Sequence, residues 1–325
     1  STKRIGLVIN GVLRQVICDP EKDSLADVLR RMGLTGTKIG CNSGQCGAWA
    51  VLLDGKVVRS CIKKMRMIED GAEVVTIEGV GTPEHLQQAF ITYGAVQCGF
   101  CTPGFIISAL GLLNENPDPT RQEVRDWFTK NRNVCRCTGY KPIVDAVMAA
   151  AAVMRGEKTM EDITFSHKPG EEIYNTSYPR PGSLARVLGQ AEYGDDVASK
   201  MPSGTAHLAL VLARVYHANI KSIDTSAADA AEGVLHVFTA KDVKGTNRMN
   251  APKGSPYHLG DGQDHVVICD KKVHHYGDVV AVVAAETREL ARAAAALVKV
   301  EYEELPAYLD FMQAAQPDAD RKGVG

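Results

Sequence analysis

Seven cysteines fall into groups whose spacing could hold metal. "QCGFCTPG" at 97–104 gives Cys98-x2-Cys101, and "CRCTGY" at 135–140 gives Cys135-x-Cys137. "GCNSGQCGAWA" at 40–50 gives Cys41-x4-Cys46, with Cys61 further on. Thiolates are soft ligands that suit zinc and iron-sulfur clusters. The Cys41-x4-Cys46 spacing opens the run C-x4-C-x2-C of a plant-type [2Fe-2S] loop, which is completed by a distant fourth cysteine. The third cysteine of that run falls at residue 49, which is Trp49. Indole has no lone pair to offer a metal, because its nitrogen is a donor only. Solvent, the hydroxyl of Ser43 or Ser60, or Cys18 are the conceivable replacements; the indole could instead fill the vacated volume as core.

The 98–137 set is the stronger signal because of what must position it. Cys101 stands just before Pro103 and Cys137 just before Pro142, and proline favours the first turn of a helix. Two helix N-termini would then aim unpaired N–H groups and positive dipole ends at one spot, which stabilises an anionic centre and lowers thiol pKa values. The same four thiolates could make a structural zinc site, or could be buried thiols. The C-x-C half is tighter than the usual zinc C-x2-4-C, which favours a cluster.

Around these residues the first ~75 residues read as strands wrapped on one helix. Asn10-Gly11 and Asp54-Gly55 are two-residue hairpin signals. The second hairpin, paired 53 with 56 and 52 with 57 through to 48 with 61, returns Cys61 to the 41–49 loop. "DSLADVLRRMG" reads as an amphipathic helix with Ser24 and Asp27 in capping-box spacing and Gly33 as its stop. "AEVVTIEGV" reads as a further strand. Helices follow at 83–93, 102–114, 120–131 and 141–155, the third opened by the capping box "TRQE". Their apolar faces, such as Phe105, Ile106, Ala109 and Leu112, would meet in a bundle. Residues 157–190 read as a linker. After them "HLALVLARV", "GVLHVFTA", "DVVAVVAAE" and "LVKVEYEE" read as strands, and the Ala-rich stretches at 226–232 and 288–297 as helices, making an α/β part over 191–325.

Composition sets outer bounds. The formal charge of -2 comes from 37 basic and 39 acidic residues mixed along the chain, so no basic stripe exists for a nucleic acid. No apolar run reaches the ~18 residues of a membrane span, and the first residues hold no signal-like apolar stretch, so a cytoplasmic location is expected. Nine cysteines without a secretory signal point to metal or buried thiols rather than disulfides.

"QCGFCTPGF" and "CRCTGY" closely resemble the second-cluster motif of the molybdenum hydroxylases, the family of xanthine dehydrogenase and aldehyde oxidoreductase. "GCNSGQCGA" with Cys61 resembles their plant-type first loop, and residues 190–310 resemble the first part of their molybdenum-binding subunit. The resemblance implies an α+β multidomain chain: a β-grasp, plant-type ferredoxin-like domain at 1–78, a four-helix [2Fe-2S] bundle at 79–156, a linker, and an incomplete α/β hammerhead-like domain from 191. It implies one [2Fe-2S] cluster on Cys98, Cys101, Cys135 and Cys137, beside a molybdopterin cofactor that Gln97 and the segment at Cys137 would contact. A second [2Fe-2S] cluster on Cys41, Cys46 and Cys61 would lack its fourth ligand at Trp49.

Only about 25 residues of linker composition separate the helical part from the last one, too few for a flavin domain. This order resembles the flavin-free aldehyde oxidoreductases of anaerobic bacteria. The implied reaction is oxidation of an aldehyde to a carboxylic acid with water as the oxygen source, electrons leaving through the clusters. The implied partners are molybdopterin-binding domains, an external acceptor such as flavodoxin or ferredoxin, and a second copy in a homodimer. The family's catalytic glutamate and remaining molybdenum domains do not follow "DADRKGVG", so the electron path is what this stretch would carry and no catalytic residue is assigned in it. Two rival readings are an electron-carrier subunit that completes its site with a second chain, and a structural protein held by four-cysteine zinc. His207, His217, His236, His265, His274 and His275 form no tight ligand spacing, and adjacent His274 and His275 would face opposite sides of a strand. "GDGQD" at 260–264 and "GVGTP" at 79–83 read as turns rather than phosphate cradles.

Overall fold

Asn10 and Gly11 take φ of 51° and 78°, the left-handed pair that a type I′ turn requires. The flanking strands β1 (Lys3–Ile9) and β2 (Val12–Cys18) pair antiparallel through their whole length. The computed structural model describes residues 2–81, 85–249 and 265–316 and divides into two compact units, Ser1–Lys200 and Met201–Gly325.

In the first unit, helix α1 (Leu25–Arg31) starts at the expected box, in which Ser24 and Asp27 satisfy each other's backbone N–H groups. Strands β3 (Ala50–Leu53), β4 (Lys56–Arg59) and β5 (Glu73–Val75) complete a five-stranded sheet in the order β2-β1-β5-β3-β4. Its core joins Ile5, Leu7, Val51 and Val74 of the sheet to Leu25 and Leu29 of α1. Two local expectations need correction. The β3–β4 ladder ends at Ala50↔Arg59 rather than at 48↔61. The N–H and Oγ of Ser60 both donate to the Trp49 carbonyl, at 3.2 and 2.6 Å, as the chain curls into a 3-10 turn at Ser60–Ile62. Strand β5 also stops early, because the Asn10 carboxamide captures Thr76 and the chain turns again at Ile77–Gly79.

The helices are α2 (His85–Thr92), α3 (Thr102–Glu115), α4 (Arg121–Lys130) and α5 (Tyr140–Met154); the start read at Pro83 lies outside the described residues. Phe105, Ile106, Ala109 and Leu112 are buried together, as their spacing requires. Pro142 is the third residue of α5 rather than the first, because Gly139 caps that helix. The segment read as a linker adds Ile163 and Val187 to the same core, the latter from α6 (Ser183–Val187). Beyond it, α7 (Gly194–Ala198) carries a buried carboxylate. Asp196 meets Lys38 Nζ at 2.9 Å and Arg30 Nη2 at 2.8 Å, and Lys38 also donates to the Ala191 carbonyl at 2.7 Å. The Lys38 and Asp196 side chains are 1% and 3% exposed.

The second unit is built from β6 (His207–Leu212), β7 (Ala218–Asp224), β8 (Val234–Phe238), β9 (Arg248–Met249), β10 (His265–Val266), β11 (Lys272–Val273), β12 (Val279–Ala285) and β13 (Lys299–Glu304). Its described sheets run β6-β12-β8, β11-β7-β13 and β10-β9, every pair antiparallel. Helices α8 (Ser226–Asp229) and α9 (Arg288–Ala295) turn Ala228, Ala291 and Ala294 inward; a last short helix, α10, spans Phe311–Ala314. Alternation on β6 leaves Leu208, Leu210 and Leu212 exposed while Ala209 and Val211 are buried. His274 and His275 do not alternate on a strand as expected. They lie in the turn after β11, where both backbone N–H groups donate to Asp278, at 2.8 and 2.9 Å. Residues 260–264 lie outside the described residues. Among the described residues, no helix is long and apolar enough to cross a membrane.

Candidate metal centres

Cys98, Cys101, Cys135 and Cys137 come together at two helix starts. Cys101 is itself the N-cap of α3, and Cys137 lies two residues before Gly139, the N-cap of α5. Gly99 between the first two takes a φ of 87°, which turns the loop back on itself. The four thiols interact as one group: Cys98 with Cys137, Cys137 with Cys135, and Cys135 with Cys101. The Gly139 N–H reaches Cys135 Sγ at 3.5 Å, and the Cys135 N–H donates to Tyr140 Oη at 2.9 Å. Burial pushes the thiols of Cys98 and Cys101 up. Cys137 moves the other way, held down first by the backbone of Cys98 and further by the charge of Arg180. Gln97 is exposed at the rim, and a Cβ on Gly139 would stand 3.0 Å from its Nε2.

Among the described residues, no three His, Cys, Asp or Glu side chains group closely enough for a single metal ion. Four thiols linked as one group, from a C-x2-C and a C-x-C motif, supply the four-thiolate set of a binuclear centre. The donor set at 98–137 fits a [2Fe-2S] cluster.

The first loop departs from that fit. Cys41 is exposed, Cys46 half-buried and Cys61 buried. The N–H groups of Ser43 and Gln45 point at Cys41 Sγ, at 3.4 and 3.1 Å, and that of Cys41 at Cys46 Sγ, at 3.4 Å. Burial pushes Cys41 up, but Ser43 and these amides outweigh it and hold the thiol at about 6. Cys41 is thus in a cradle suited to a thiolate, whereas burial pushes the Cys46 and Cys61 thiols up. Trp49 occupies the remaining quarter. It is 1% exposed, packed among Ala26, Ala48, Cys61, Ile39, Cys46 and Phe100, and its Nε1 has no acceptor. Cys18 does not approach; it packs with Ile5 and Leu25 in the other core of this domain. The Ser60 hydroxyl is committed to the Trp49 carbonyl. Three thiols and a buried indole do not fit a four-thiolate centre.

The two loops share a seam that spacing does not announce. The Val134 N–H donates to the Cys46 carbonyl at 3.1 Å. Arg132 Nη1 donates to Gln45 Oε1 at 2.7 Å, and Asn133 Nδ2 to the Gly104 carbonyl at 3.3 Å. A Cβ on Gly104 would stand 2.2 Å from the Gly47 carbonyl oxygen. Replacing Gly104→Ala should therefore force the start of α3 off the first loop and cost about 1–3 kcal/mol. Thermal unfolding checks this, and an unchanged midpoint would contradict the contact.

Residues 7–74 match the family described as "2Fe-2S iron-sulfur cluster binding domain" and residues 76–148 the family "[2Fe-2S] binding domain". Residues 188–306 match "Aldehyde oxidase and xanthine dehydrogenase, a/b hammerhead domain". The chain is 44% identical over 150 residues to the nicotinate dehydrogenase small FeS subunit of Eubacterium barkeri, which covers 45% of this chain and 93% of that protein. The chain belongs to the molybdenum hydroxylase family. Within the molybdenum hydroxylases, it is 54% identical over 317 residues to the aldehyde oxidoreductase of Megalodesulfovibrio gigas, covering 96% of this chain and 35% of that protein. The solved structure of the aldehyde oxidoreductase from Desulfovibrio gigas matches with a TM-score of 0.92 and 53% identity, over 98% of this chain and 35% of that one. This molybdenum hydroxylase chain thus spans about a third of the length of those relatives. It corresponds to their iron-sulfur N-terminal region together with the hammerhead domain, as the motifs at 41–61 and 97–140 imply.

Proposed function

We propose that this chain is the electron-transfer portion of an enzyme that oxidises aldehydes to carboxylic acids at a molybdopterin centre held by further domains. The observation that carries this reading is the gathering of Cys98, Cys101, Cys135 and Cys137 at the starts of α3 and α5, in a chain 54% identical to an aldehyde oxidoreductase. When bound there, a [2Fe-2S] cluster supplies one-electron transfer. The protein's part is to fix four thiolates, bury Cys135 and half-bury Cys101, and offer the positive ends of two helices to an anionic group. Gln97, exposed at the rim, and the half-buried Cys137 are the residues we assign to the pterin side. In the second unit, the exposed face of Leu208, Leu210 and Leu212 is apolar surface that a larger domain would cover. The hammerhead match at 188–306 favours molybdopterin domains on the same polypeptide over a separate subunit. Cys41, Cys46 and Cys61 retain the shape of the plant-type loop but hold no stable cluster beside Trp49.

Replacing Cys101→Ser or Cys137→Ser tests the assignment. Each variant is expected to lose the EPR signal of the dithionite-reduced protein and about two irons per chain, and to loosen the bundle, since the site ties its helices together. A colourless unaltered protein with stoichiometric zinc, or an unchanged signal in both variants, rules the assignment out.

A further inference from the structure

Residues 180–193 contribute no thiol, yet they close over the loop that carries Cys98. Arg186 Nε donates to the Cys98 carbonyl at 3.0 Å, and Tyr193 Oη donates to the same oxygen at 2.8 Å. The Arg180 guanidinium donates to the neighbouring carbonyl of Gln97. The aliphatic stem of Arg186 lies along Gly99, where a Cβ would stand 2.2 Å from its Cδ. Any side chain at 99 would displace it.

This segment is fixed in its middle and at its far end. Val187, next to Arg186, is buried with the helical core. Tyr193 caps α7 ahead of Asp196, sets its ring edge-on to Phe100 at 5.2 Å, and lies under Lys38 Nζ, 4.9 Å from the ring centroid. Two permanent cations are thereby held on the peptide groups that flank a metal-ligand position; Arg186 Nη1 also donates to the Gly182 carbonyl at 2.8 Å, which fixes the guanidinium there.

We propose that Arg180, Arg186 and Tyr193 form a cationic clasp that raises the reduction potential of the centre on Cys98, Cys101, Cys135 and Cys137. The inference rests on the reading of those cysteines as a [2Fe-2S] site. In a titration, dithionite delivers one electron to one ferric ion of the centre, which becomes ferrous. No bond is made or broken, and the net negative charge of the centre grows by one. A nearby cation favours the reduced form over the oxidised one by its interaction with that added charge. Arg186 is half-buried and Arg180 exposed, so solvent and salt screen Arg180 more. Tyr193 acts through the Cys98 peptide and holds Arg186 in place; it is a positioning residue.

The test is EPR-monitored potentiometric titration of the full 325-residue chain with redox mediators. Arg186→Gln is expected to shift the midpoint to lower potential with iron content and signal shape retained, while Arg186→Lys keeps most of the wild-type value. Arg180→Gln should give a smaller shift in the same direction that shrinks as salt is raised, and Tyr193→Phe a shift without loss of charge. If Arg186→Gln proves too unstable to load with iron, the exposed Arg180→Gln still decides. Full iron and signal with midpoints unmoved in the Arg180 and Arg186 variants would overturn the clasp. Absence of an iron-sulfur signal in the unaltered protein would instead overturn the cluster reading beneath it.

Discussion

Replacing Trp49→Cys is expected to raise bound iron from about two to about four atoms per chain, the sum for two four-cysteine [2Fe-2S] centres. Everything else the first loop needs is in place. Gly44 and Gly47 take φ of 73° and 64°, amides converge on Cys41, and the curl at Ser60–Ile62 brings Cys61 against Trp49. Removing a buried indole leaves a cavity that costs about 3–5 kcal/mol, so the metal-free variant should be less stable than the parent. Cluster binding would offset that loss, since it is folding free energy. The measurements are iron and sulfide analysis and EPR, in which a second, distinct signal should appear. Four irons and two signals in the unaltered protein would sink the idea and require a ligand the structure does not bring to the loop.

The other large effect is mechanical rather than redox. Asp196→Asn would strand Lys38 and Arg30 without their carboxylate in a site where Lys38 is 1% exposed. Breaking one side of a buried ion pair costs about 3–5 kcal/mol, and urea unfolding of the variant at pH 7 should show a loss of that order. The pH dependence has a definite sign. Burial pushes the Asp196 carboxyl up, but its hydrogen bonds with Lys38 and Arg30 and the Tyr193 amide hold it below the usual range. A depressed carboxyl contributes stability that is fully present above its unfolded value, near ~3.9, and is lost as pH falls through the lower folded value. The parent should therefore hold its advantage over Asp196→Asn through neutral pH and lose it below about pH 4. A difference of under about 0.5 kcal/mol at pH 7, the range of ordinary surface substitutions, would contradict the network's weight.

What was legible in the sequence was what is written locally. Asn10-Gly11, Asp54-Gly55, the Ser24/Asp27 box and the Thr120/Glu123 box each encode their structure within four residues, and each is found. Cysteine spacing was legible for the same reason. The Lys38–Asp196 pair joins residues 158 apart, and Lys38 read alone is a surface cation. Arg180 and Arg186 sit in a stretch whose Pro, Gly and mixed charge carry no periodicity and read as a linker, and Tyr193 lies just past it at the start of the stretch read as α/β, yet long-range hydrogen bonds bring all three to one loop. β7 carries no clean alternation in its sequence or burial, two of its partly covered positions being adjacent, Asn219 and Ile220. The early end of β5 depends on the Asn10 side chain reaching Thr76, 66 residues away.

The hydrogen bond from the Val134 amide to the Cys46 carbonyl ties the two ligand loops into one cooperative patch. Val134 directly precedes Cys135, so the segment that carries one of the proposed ligands is anchored on the backbone of the other loop. Its amide proton should exchange slowly with deuterated solvent while the helical site holds iron, and quickly once a chelator strips it, because the 132–137 turn then loses its anchor to α3 and α5. The first loop would loosen with it, exposing the buried Gly44 beside the already exposed Gln45 to proteolytic cleavage. Loss of metal at one place would thus be reported by backbone opening at another.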